Sequence, residues 1–566
     1  MNVRKHTPAL ALCAAVVLAW ALPAAALVSS NGGDDPPFTG LYINDFVGAT
    51  TFYDAGYTGT RAVIANVEAG HIWDGHETLG HVTTFFEHAD AAGDYDVHAT
   101  AVGHTLGGRH VAGNPQDYQL GIAYGAELWS GAIATSWGGG TSFFVSNDTV
   151  EYAYDLAMVT GIGGNTADVV TSSWGAGSDN DGDGQYSRLL DAITVQTGKV
   201  VVFAAGNGGP DPDTLSGPGS AFNTIAVGAL ASDTSTPAYD DVASFSSRSP
   251  TDFFLPDNAA GTSGATVAGA RAAIDIAEPG QNLTLAYYGG TTGSNTGGTD
   301  ITGGAGNYYV VDAAGTSFAA PITAGGAALI CDAGYDVFGG GQAIDGRVVK
   351  AVLLNSATKT TTHPWDNGQQ VVGGVITTTQ SLDYTVGAGR MDLEKGYDQY
   401  LSGTGNVAGL GGGNVEAVGW DYGQVDEGTP NDYFITTQLQ GGTMLTATLT
   451  WFVDRAYDAD THSGTYESFD DLDLEIWSAD AGGTALTKLA ESISDYNTME
   501  HLHFELADDM YVLVRVVWDE EVYDFVSDAN AETYGLAWYG TPVPEPATVG
   551  LIALGGLALL RRRRRG

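Results

Sequence analysis

Short apolar runs, each closed by turn residues, recur through the N-terminal part of the chain. The runs at 61–67, 168–173 and 200–203 are continuous and rich in β-branched residues, which is typical of strands buried inside a sheet. The segment 322–329 consists mainly of small residues and predicts a closely packed helix, and 348–358 predicts a second one. The pattern therefore predicts a region that combines buried strands with helices.

The pattern changes after the glycine-rich segment 403–414, which predicts a linker. From 415 to 540 apolar runs such as 444–452 and 511–517 recur, with Gly, Asp and Asn between them. Short alternating runs with regular interruptions predict an all-β sandwich. The chain is therefore expected to contain two folded regions of different class.

Both ends of the chain have the pattern of targeting segments. Residues 1–26 carry a basic start, an apolar run and a small-residue end, which predicts a secretory signal peptide and its cleavage site. Near the other end, the apolar run 547–560 would span roughly 21 Å as a helix, less than the ~30 Å hydrocarbon core of a bilayer. It therefore predicts a marginal membrane span, and the arginines at 561–565 would keep its end in the cytoplasm.

The segment 541–566 as a whole resembles a PEP-CTERM sorting signal, in which a Pro-Glu-Pro motif, an apolar helix and an arginine tail follow one another. The resemblance implies an exosortase-type sorting enzyme as a partner, which would recognise and cleave the tail. It also implies a cell-surface or extracellular location after secretion across the inner membrane, with the tail as a membrane anchor before processing. A plain single-pass tail anchor is the alternative interpretation.

Composition narrows the possible partners. The 566 residues carry a formal net charge of −46, with only 21 basic residues. Such a surface repels nucleic acid and anionic membranes, so no nucleic-acid partner is expected, but it can attract divalent cations. The only cysteines are Cys13 and Cys331, and Cys13 lies in the predicted signal peptide. No internal disulfide is therefore expected in the mature chain.

The candidate nucleophile is Ser317, which follows Gly315-Thr316 at the start of the predicted small-residue helix. There the free backbone N–H groups and the helix dipole would favour a developing oxyanion. On these residues alone, a helix-capping role for the threonine or serine is the simpler interpretation. The longer string 315–321, GTSFAAP, resembles the serine motif of the subtilisin-like serine peptidases. That resemblance implies a nucleophilic Ser317.

Two further motifs resemble those of the same family. The DVHATAVG of 96–103 resembles its histidine motif and implies His98 as the general base. The AAGNG of 204–208 resembles its oxyanion segment and implies that the Asn207 side chain donates an N–H to a tetrahedral intermediate. The order acid, histidine, asparagine, serine is consistent with subtilisin-like enzymes.

The acid of this set departs from the family pattern. Aligned on Gly70, the chain has Glu68 where subtilases have Asp. A glutamate is one methylene longer, yet it can still accept a hydrogen bond from the histidine Nδ1 and stabilise the imidazolium. Glu68 is therefore predicted to be the triad acid, with Asp74 and Asn66 as alternatives.

The resemblance covers roughly residues 40–400 and implies an α/β fold with a doubly wound parallel sheet for a peptidase domain at 27–402. It also implies that Ser173, Trp174 and Gly175, after the 168–173 run, contact the substrate backbone and wall the first specificity pocket. The alternative is a core strand with a tryptophan beneath it. The region 415–540, through the acidic-apolar stretch 470–474, is similar to the jelly-roll domain found behind some secreted subtilases.

Two patterns raise the question of a metal. Asp179, Asp181 and Asp183 have the D-x-D-x-D-G order of a calcium loop, which predicts a structural calcium site, although the twelfth position is not acidic. The alternative is an acidic surface loop. His76 and His81 nearly match HExxH, but they are five residues apart and would not share a helix face. A zinc peptidase is therefore not expected, and no catalytic cofactor is predicted.

The sequence thus predicts a secreted serine endopeptidase that acts through an acyl-enzyme on peptide or protein substrates. A catalytically inactive subtilase-fold protein that binds a surface polymer or matrix is the alternative. The glutamate at position 68 supports the alternative, as does the short gap between signal and domain. The complete set of nucleophile, base and oxyanion donor supports the enzyme.

Overall fold

The computed structural model describes residues 41–138, 142–175, 180–232, 238–294, 309–404 and 411–541. The helices, in chain order, are α1 (Ile43–Phe46), α2 (Ala49–Asp54), α3 (Val97–Gly107), α4 (Asn147–Asp155), α5 (Gln185–Thr197), α6 (Thr316–Val337), α7 (Gly346–Ser356) and α8 (Leu393–Leu401). Single helical turns cover Asp117–Gln119, Leu156–Thr160 and Gly341–Ile344.

The strands before residue 404 are β1 (Val63–Glu68), β2 (Thr84–Glu87), β3 (Glu127–Ala132), β4 (Ser136–Trp137), β5 (Phe143–Phe144), β6 (Val169–Ser172), β7 (Val200–Ala204), β8 (Ile225–Ala231), β9 (Asp241–Val242), β10 (Thr251–Pro256), β11 (Gly264–Arg271), β12 (Ile276–Pro279), β13 (Leu283–Ala286), β14 (Tyr309–Ala313), β15 (Gln370–Val372) and β16 (Val375–Thr378). Those after it are β17 (Gly413–Val415), β18 (Val418–Asp426), β19 (Asn431–Leu439), β20 (Met444–Trp451), β21 (Arg455–Asp458), β22 (Ser463–Tyr466), β23 (Ser468–Ala479), β24 (Ala485–Ser492), β25 (Met499–Glu505), β26 (Met510–Asp524) and β27 (Ala531–Tyr539).

A parallel sheet with the strand order β12-β8-β7-β6-β1-β3-β2 forms the centre of the N-terminal region. All of these neighbours pair in parallel, and β9 adds an antiparallel pair at β8. The middle strands β6 and β7 are buried along their whole length, which is why their sequences are continuous apolar runs. The predicted α/β class with a parallel sheet is confirmed.

Helices cover both faces of this sheet. One core joins α3, α6 and α7 to the sheet, and a second core joins α4 and α5 to the opposite face. The small residues of α6 allow close approach, since a Cβ at Gly325 would lie 2.5 Å from the Cβ of Ile122. In α3, a Cβ at Gly103 would lie 2.5 Å from the Cδ1 of Ile72. The glycines therefore let the two helices that begin at predicted catalytic residues pack closely against segments that adjoin the strands, since Ile72 follows β1 and Ile122 precedes β3.

The C-terminal region is a β-sandwich, as predicted. One sheet has the order β15-β16-β24-β23-β26-β19-β17 and the other has β18-β27-β20-β25. The hairpin β15–β16 lies within the predicted peptidase domain by chain position, yet β16 pairs in parallel with β24 of the sandwich. The last two residues of the predicted linker, Gly413 and Asn414, belong to β17, which pairs in parallel with β19.

The sandwich packs directly on α7. Thr450 of β20 donates its hydroxyl hydrogen to the Arg347 carbonyl at 2.7 Å. A Cβ at Gly535 of β27 would lie 2.4 Å from the Arg347 carbonyl carbon, so this strand contacts the helix backbone. Trp420 and Ala537 of the sandwich belong to the same apolar core as α6 and α7. The two regions therefore share a continuous interior.

The predicted targeting segments, 1–26 and 541–566, lie outside the described residues except for position 541. Within the described ranges, no helix combines the length and the apolar character needed to cross a membrane.

Candidate active site

The predicted catalytic residues come from four elements that end or begin at the same edge of the parallel sheet. Glu68 is the last residue of β1, and Asn207 follows β7. His98 lies in the first turn of α3, and Ser317 is the second residue of α6. The carboxyl ends of parallel strands meet at one edge of a sheet, so residues distant in sequence converge there. All four side chains line one cleft of about 380 Å³.

Glu68 is the buried acid of this cleft, with only 1% of its surface exposed. Its Oε2 lies 3.1 Å from the Nδ1 of His98, and its Oε1 accepts the backbone N–H of Ser173 at 2.7 Å. Burial raises the pKa of Glu68, while the nearby His98 acts to lower it. Both carboxylate oxygens thus have a partner, and one of them holds the imidazole.

His98 is oriented by its helix as well as by Glu68. Asp96 caps α3 and accepts the backbone N–H groups of His98 and Ala99, each at 3.2 Å. Burial alone would lower the pKa of His98, but the charge and hydrogen bond of Glu68 outweigh it, and the pKa is raised. About a quarter of the side chain is exposed (27%), and His98 lines the cleft.

Ser317 lies where a helix N-terminus meets the cleft. Gly315 precedes the helix with φ +154°, a backbone conformation suited to glycine. The Ser317 hydroxyl donates to the Ser173 carbonyl at 3.4 Å, and among the described residues it has no hydrogen bond with His98. The neighbouring Phe318 ring lies 5.7 Å from the imidazole between centroids. Nucleophile and base therefore line the same cleft without a hydrogen bond between them, and such catalytic hydrogen bonds often form only when substrate is bound.

Asn207 is fixed through its amide oxygen. That oxygen accepts the backbone N–H of Thr316 at 2.9 Å and the Thr316 hydroxyl at 3.2 Å. Because a backbone N–H can only donate, the oxygen must face Thr316 and the NH₂ group must point the other way. The Nδ2 hydrogens are thus available beside the residue that follows Thr316, which is Ser317.

Ser173, Trp174 and Gly175 line the same cleft, immediately after β6. Trp174 is mostly buried, and its ring packs against Phe203 and Tyr186 at 5.7 and 5.8 Å. The segment thus forms a wall of the cleft and also covers part of the core. Its contact with a substrate stays a prediction.

Other cleft residues were not singled out from the sequence. Trp137 and Phe143 form an aromatic pair on the β4–β5 hairpin, with ring centroids 6.3 Å apart, and Ser294 donates its hydroxyl hydrogen to Asp96. An aromatic residue in a glycine-rich loop, as in the stretch 137–144, is the signal that could have indicated the hairpin. Nothing local to Ser294 indicates its place.

The two alternatives to Glu68, the acid Asp74 and the amide Asn66, have their described hydrogen bonds with groups other than the imidazole. The Asp74 carboxylate accepts the Tyr95 hydroxyl at 2.8 Å. Asn66 is buried, its Nδ2 donates to the Ala99 carbonyl at 3.3 Å, and its Oδ1 has no partner among the described residues. Only Glu68, of the three, has a described hydrogen bond to His98.

The predicted calcium loop is only partly described, because Asp179 lies outside the described residues. The Asp181 carboxylate accepts the backbone N–H of Asp183 at 3.1 Å, and Asp183 accepts the Tyr466 hydroxyl. The intervening Gly182 carbonyl accepts from the Arg455 guanidinium at 3.0 Å. Within the described ranges, no group of three His, Cys, Asp or Glu side chains could hold a metal ion. Calcium therefore stays a prediction, and its described ligands already have protein partners.

Comparison with known proteins gives two family matches. The sequence model of the subtilase family matches residues 74–373, and that of the PEP-CTERM protein-sorting motif matches residues 542–565. The chain is 36% identical over 147 residues to the serine protease AprX of Bacillus subtilis, covering 25% of this chain and 27% of that protein. It is 29% identical over 191 residues to the minor extracellular protease Vpr of the same organism, covering 32% of this chain and 22% of that protein. The match thus spans about a quarter of the length of these relatives.

Proposed function

Because the chain belongs to the subtilase family of serine peptidases, we propose that it is a serine endopeptidase that cleaves peptide bonds through an acyl-enzyme. In this proposal Ser317 is the nucleophile and His98 the general base. Glu68 orients His98 in place of the family's aspartate, and Asn207 with the Ser317 backbone N–H forms the oxyanion hole.

The chemistry follows from the arrangement of the cleft. Ser317 Oγ attacks the substrate carbonyl carbon while His98 Nε2 takes the hydroxyl proton. The carbonyl oxygen becomes an oxyanion, which the Asn207 amide and the first N–H groups of α6 can stabilise. When the carbon–nitrogen bond breaks, the leaving amine receives the proton from His98. A water molecule, activated by the same imidazole, then hydrolyses the ester.

The observation that carries the proposal is the 3.1 Å contact between Glu68 Oε2 and His98 Nδ1 at the edge of a cleft that Ser317 also lines. The contact fixes the tautomer of His98, so that its other nitrogen can accept a proton.

Labelling with a fluorophosphonate probe tests the proposal directly. We expect the wild-type chain to be labelled, Ser317→Ala not to be labelled, and Glu68→Ala to be labelled far more slowly. Asp74→Asn is the matched control, because it removes the alternative acid, and it should label at the wild-type rate. A folded wild-type chain that takes no label would favour the inactive binding protein instead. Full labelling of Glu68→Ala together with loss in Asp74→Asn would move the acid to Asp74.

The sorting motif supports a second part of the proposal, which concerns location. The chain is secreted through the segment 1–26 and retained by the tail until an exosortase-type enzyme processes it. Deletion of residues 542–566 should release the protein to the medium unprocessed. Mass spectrometry of the mature C-terminus from intact cells should show a truncated tail, and a full-length tail on the surface protein would contradict processing.

A further inference from the structure

In helix α6, the backbone carbonyl of the proposed nucleophile lacks the hydrogen-bond donor that a regular helix would provide. Pro321 lies in its first two turns and has no backbone N–H, so the carbonyl of Ser317, four residues earlier, lacks its normal helical donor. Both residues are buried, with 8% of Ser317 exposed. A buried carbonyl without a donor is destabilising, so a replacement donor is expected.

Ser173 supplies that replacement. Its hydroxyl donates to the Ser317 carbonyl at 2.9 Å, although the two residues are 144 positions apart in the chain. Ser173 is itself buried, with 7% of its surface exposed, so water competes little for this bond. The hydroxyl therefore takes the place of the helix hydrogen bond that the proline removes.

The backbone of the same residue contacts the rest of the catalytic set. The Ser173 N–H donates to Glu68 Oε1 at 2.7 Å, and its carbonyl accepts the Ser317 hydroxyl at 3.4 Å. The proposed acid Glu68 and the proposed nucleophile Ser317 are thus both hydrogen-bonded to Ser173, which follows the end of β6. Displacement of Ser173 would move acid and nucleophile relative to each other.

We propose that Ser173 is a positioning residue whose hydroxyl, paired with the proline gap at position 321, sets the position of Ser317 relative to Glu68 and His98. This inference rests on the proposed peptidase function and assigns Ser173 a role in addition to its predicted contact with substrate. The role is exerted through Ser317, because the hydroxyl is occupied by a protein carbonyl. Small displacements of a nucleophile are expensive, since about 1 Å can cost on the order of 10²-fold in rate.

A double-mutant cycle between Ser173→Ala and Pro321→Ala tests the proposal. Ser173→Ala removes the hydroxyl bond, and we expect kcat to fall about tenfold while KM changes less than about twofold, because the loss acts on the nucleophile. Pro321→Ala restores a backbone N–H at the position that can donate to the Ser317 carbonyl. The gain in kcat from Pro321→Ala should therefore be about fivefold larger in the Ser173→Ala background than in the wild type.

Ser172→Ala is the matched control. Ser172 is also buried, and its hydroxyl bonds the Val67 carbonyl at 2.8 Å and the Tyr154 hydroxyl at 2.7 Å, but it has no described hydrogen bond with Glu68, His98 or Ser317. It should lower the melting temperature as Ser173→Ala does and leave kcat near the wild-type value. If Ser173→Ala alone does not fold, the double variant must fold and be active, since it regains the hydrogen bond.

Several results would overturn the inference. A rise in KM with unchanged kcat in Ser173→Ala would make the residue a substrate contact only. Equal effects of Pro321→Ala on kcat in both backgrounds would show that positions 173 and 321 are not coupled. A double variant that is unfolded would show the same. If the wild type is active and any one of these three results is found, this inference alone is overturned. A wild type that neither takes the fluorophosphonate label nor hydrolyses peptide overturns the proposed function and this inference with it.

Discussion

In the parallel-sheet region most buried carboxylates lie among hydrogen-bond donors, whereas in the β-sandwich several lie among other carboxylates. Asp332 of α6 is fully buried and accepts the backbone N–H groups of Thr58, Gly59, Thr60 and Arg61 as well as the Arg61 guanidinium. Glu68 has His98 and the Ser173 N–H. Both oxygens of each of these carboxylates have a hydrogen-bond donor as partner, which offsets part of the cost of burying them.

The sandwich contains the contrasting case. Asp471 of β23 is 2% exposed, and its Oδ1 has no hydrogen-bond partner among the described residues. Burial, together with the charges of Glu500 and Asp473, raises the pKa of Asp471 to about 10. Burial and the charge of Asp519 raise the pKa of Asp473 to about 8. These side chains bind protons more readily in the folded state than in the unfolded chain.

The difference shows how one acidic chain uses its buried carboxylates in two ways. In the first region the proposed role of Glu68 requires a charged carboxylate beside His98, and hydrogen-bond donors surround it. In the sandwich, protonation of Asp471 and Asp473 relieves the repulsion between neighbouring carboxylates.

Burial also raises the pKa values of Glu68, Asp191 and Asp275 in the first region, but in each case a neighbouring basic side chain opposes the shift. Glu278 of β12 has only the Met391 N–H and the more distant Arg390 to oppose burial, and its pKa rises to about 8. The two regions should therefore respond oppositely when a buried carboxyl is replaced by an amide.

The largest expected effect comes from removing the charge of the triad acid. In Glu68→Gln, kcat should fall on the order of 10⁴-fold, because the amide no longer stabilises the imidazolium or fixes its tautomer. The raised pKa of His98 places the acid limb of the wild-type profile above the ordinary value near ~6.5. Residual activity of the variant should show this limb at lower pH, measured as kcat/KM against pH. Glu68→Asp, which keeps the charge, should lose less, and an unshifted limb in Glu68→Gln would contradict the assignment.

The next effect tests the contact between the two regions. Arg455 of the sandwich is 2% exposed on its side chain and pairs with the fully buried Asp191 of α5 at 3.0 Å. Arg455→Met would leave Asp191 buried without its cation, so the free energy of unfolding should fall by about 3–5 kcal/mol. Denaturant unfolding of the wild type and of Arg455→Met measures this difference in the free energy of unfolding. Arg455→Met with Asp191→Asn is the control and should recover most of the loss, and a loss below about 1 kcal/mol would show that the pair is not needed.

Replacing the ionisable side chain of Asp471 inside the sandwich should have the opposite sign. Asp471 has a raised pKa, so its contribution to stability is fully present below its unfolded value near ~3.9 and is lost as pH rises through the folded value. Asp471→Asn should therefore stabilise the protein by about 1–3 kcal/mol at pH ~8 and have little effect near pH ~4. Thermal unfolding at both values measures this. The exposed Asp508→Asn serves as control, and destabilisation of Asp471→Asn at the higher pH would contradict the comparison.

The smallest effect concerns His462, at the tip of the β21–β22 hairpin. Its imidazole contacts Glu151 and lies 3.2 Å from Asp148, both on α4, and the hydrogen bond with Glu151 raises its pKa. A raised pKa contributes stability below the unfolded value near ~6.5 that is lost as pH rises through the folded one. Asparagine tolerates the local φ of +52° at this position. His462→Asn should therefore lower the free energy of unfolding by less than about 1 kcal/mol, and only at acidic pH.

The melting temperatures of this variant and of the exposed control His110→Asn, at pH ~5.5 and ~8, measure that effect. Equal losses at both pH values would assign the role of His462 to packing rather than charge.

Much of the architecture was present in local sequence patterns. The continuous apolar runs predicted β1, β6 and β7, because strands buried on both faces need apolar residues at every position. The alternating runs predicted the sandwich, and the small residues after Ser317 predicted α6. Both targeting segments were indicated by order and composition alone, and the sorting motif is matched by its family model.

The sequence by itself thus indicated many of the elements and the side chains proposed to carry chemistry, since periodicity and short motifs act over a few residues. Tertiary structure decided how those side chains meet. Only packing brings Ser173 to the carbonyl that Pro321 leaves without a donor, adds the hairpin β15–β16 to the sheet of the sandwich, and places Arg455 against Asp191. These contacts join positions more than a hundred residues apart, and no local pattern encodes such a distance.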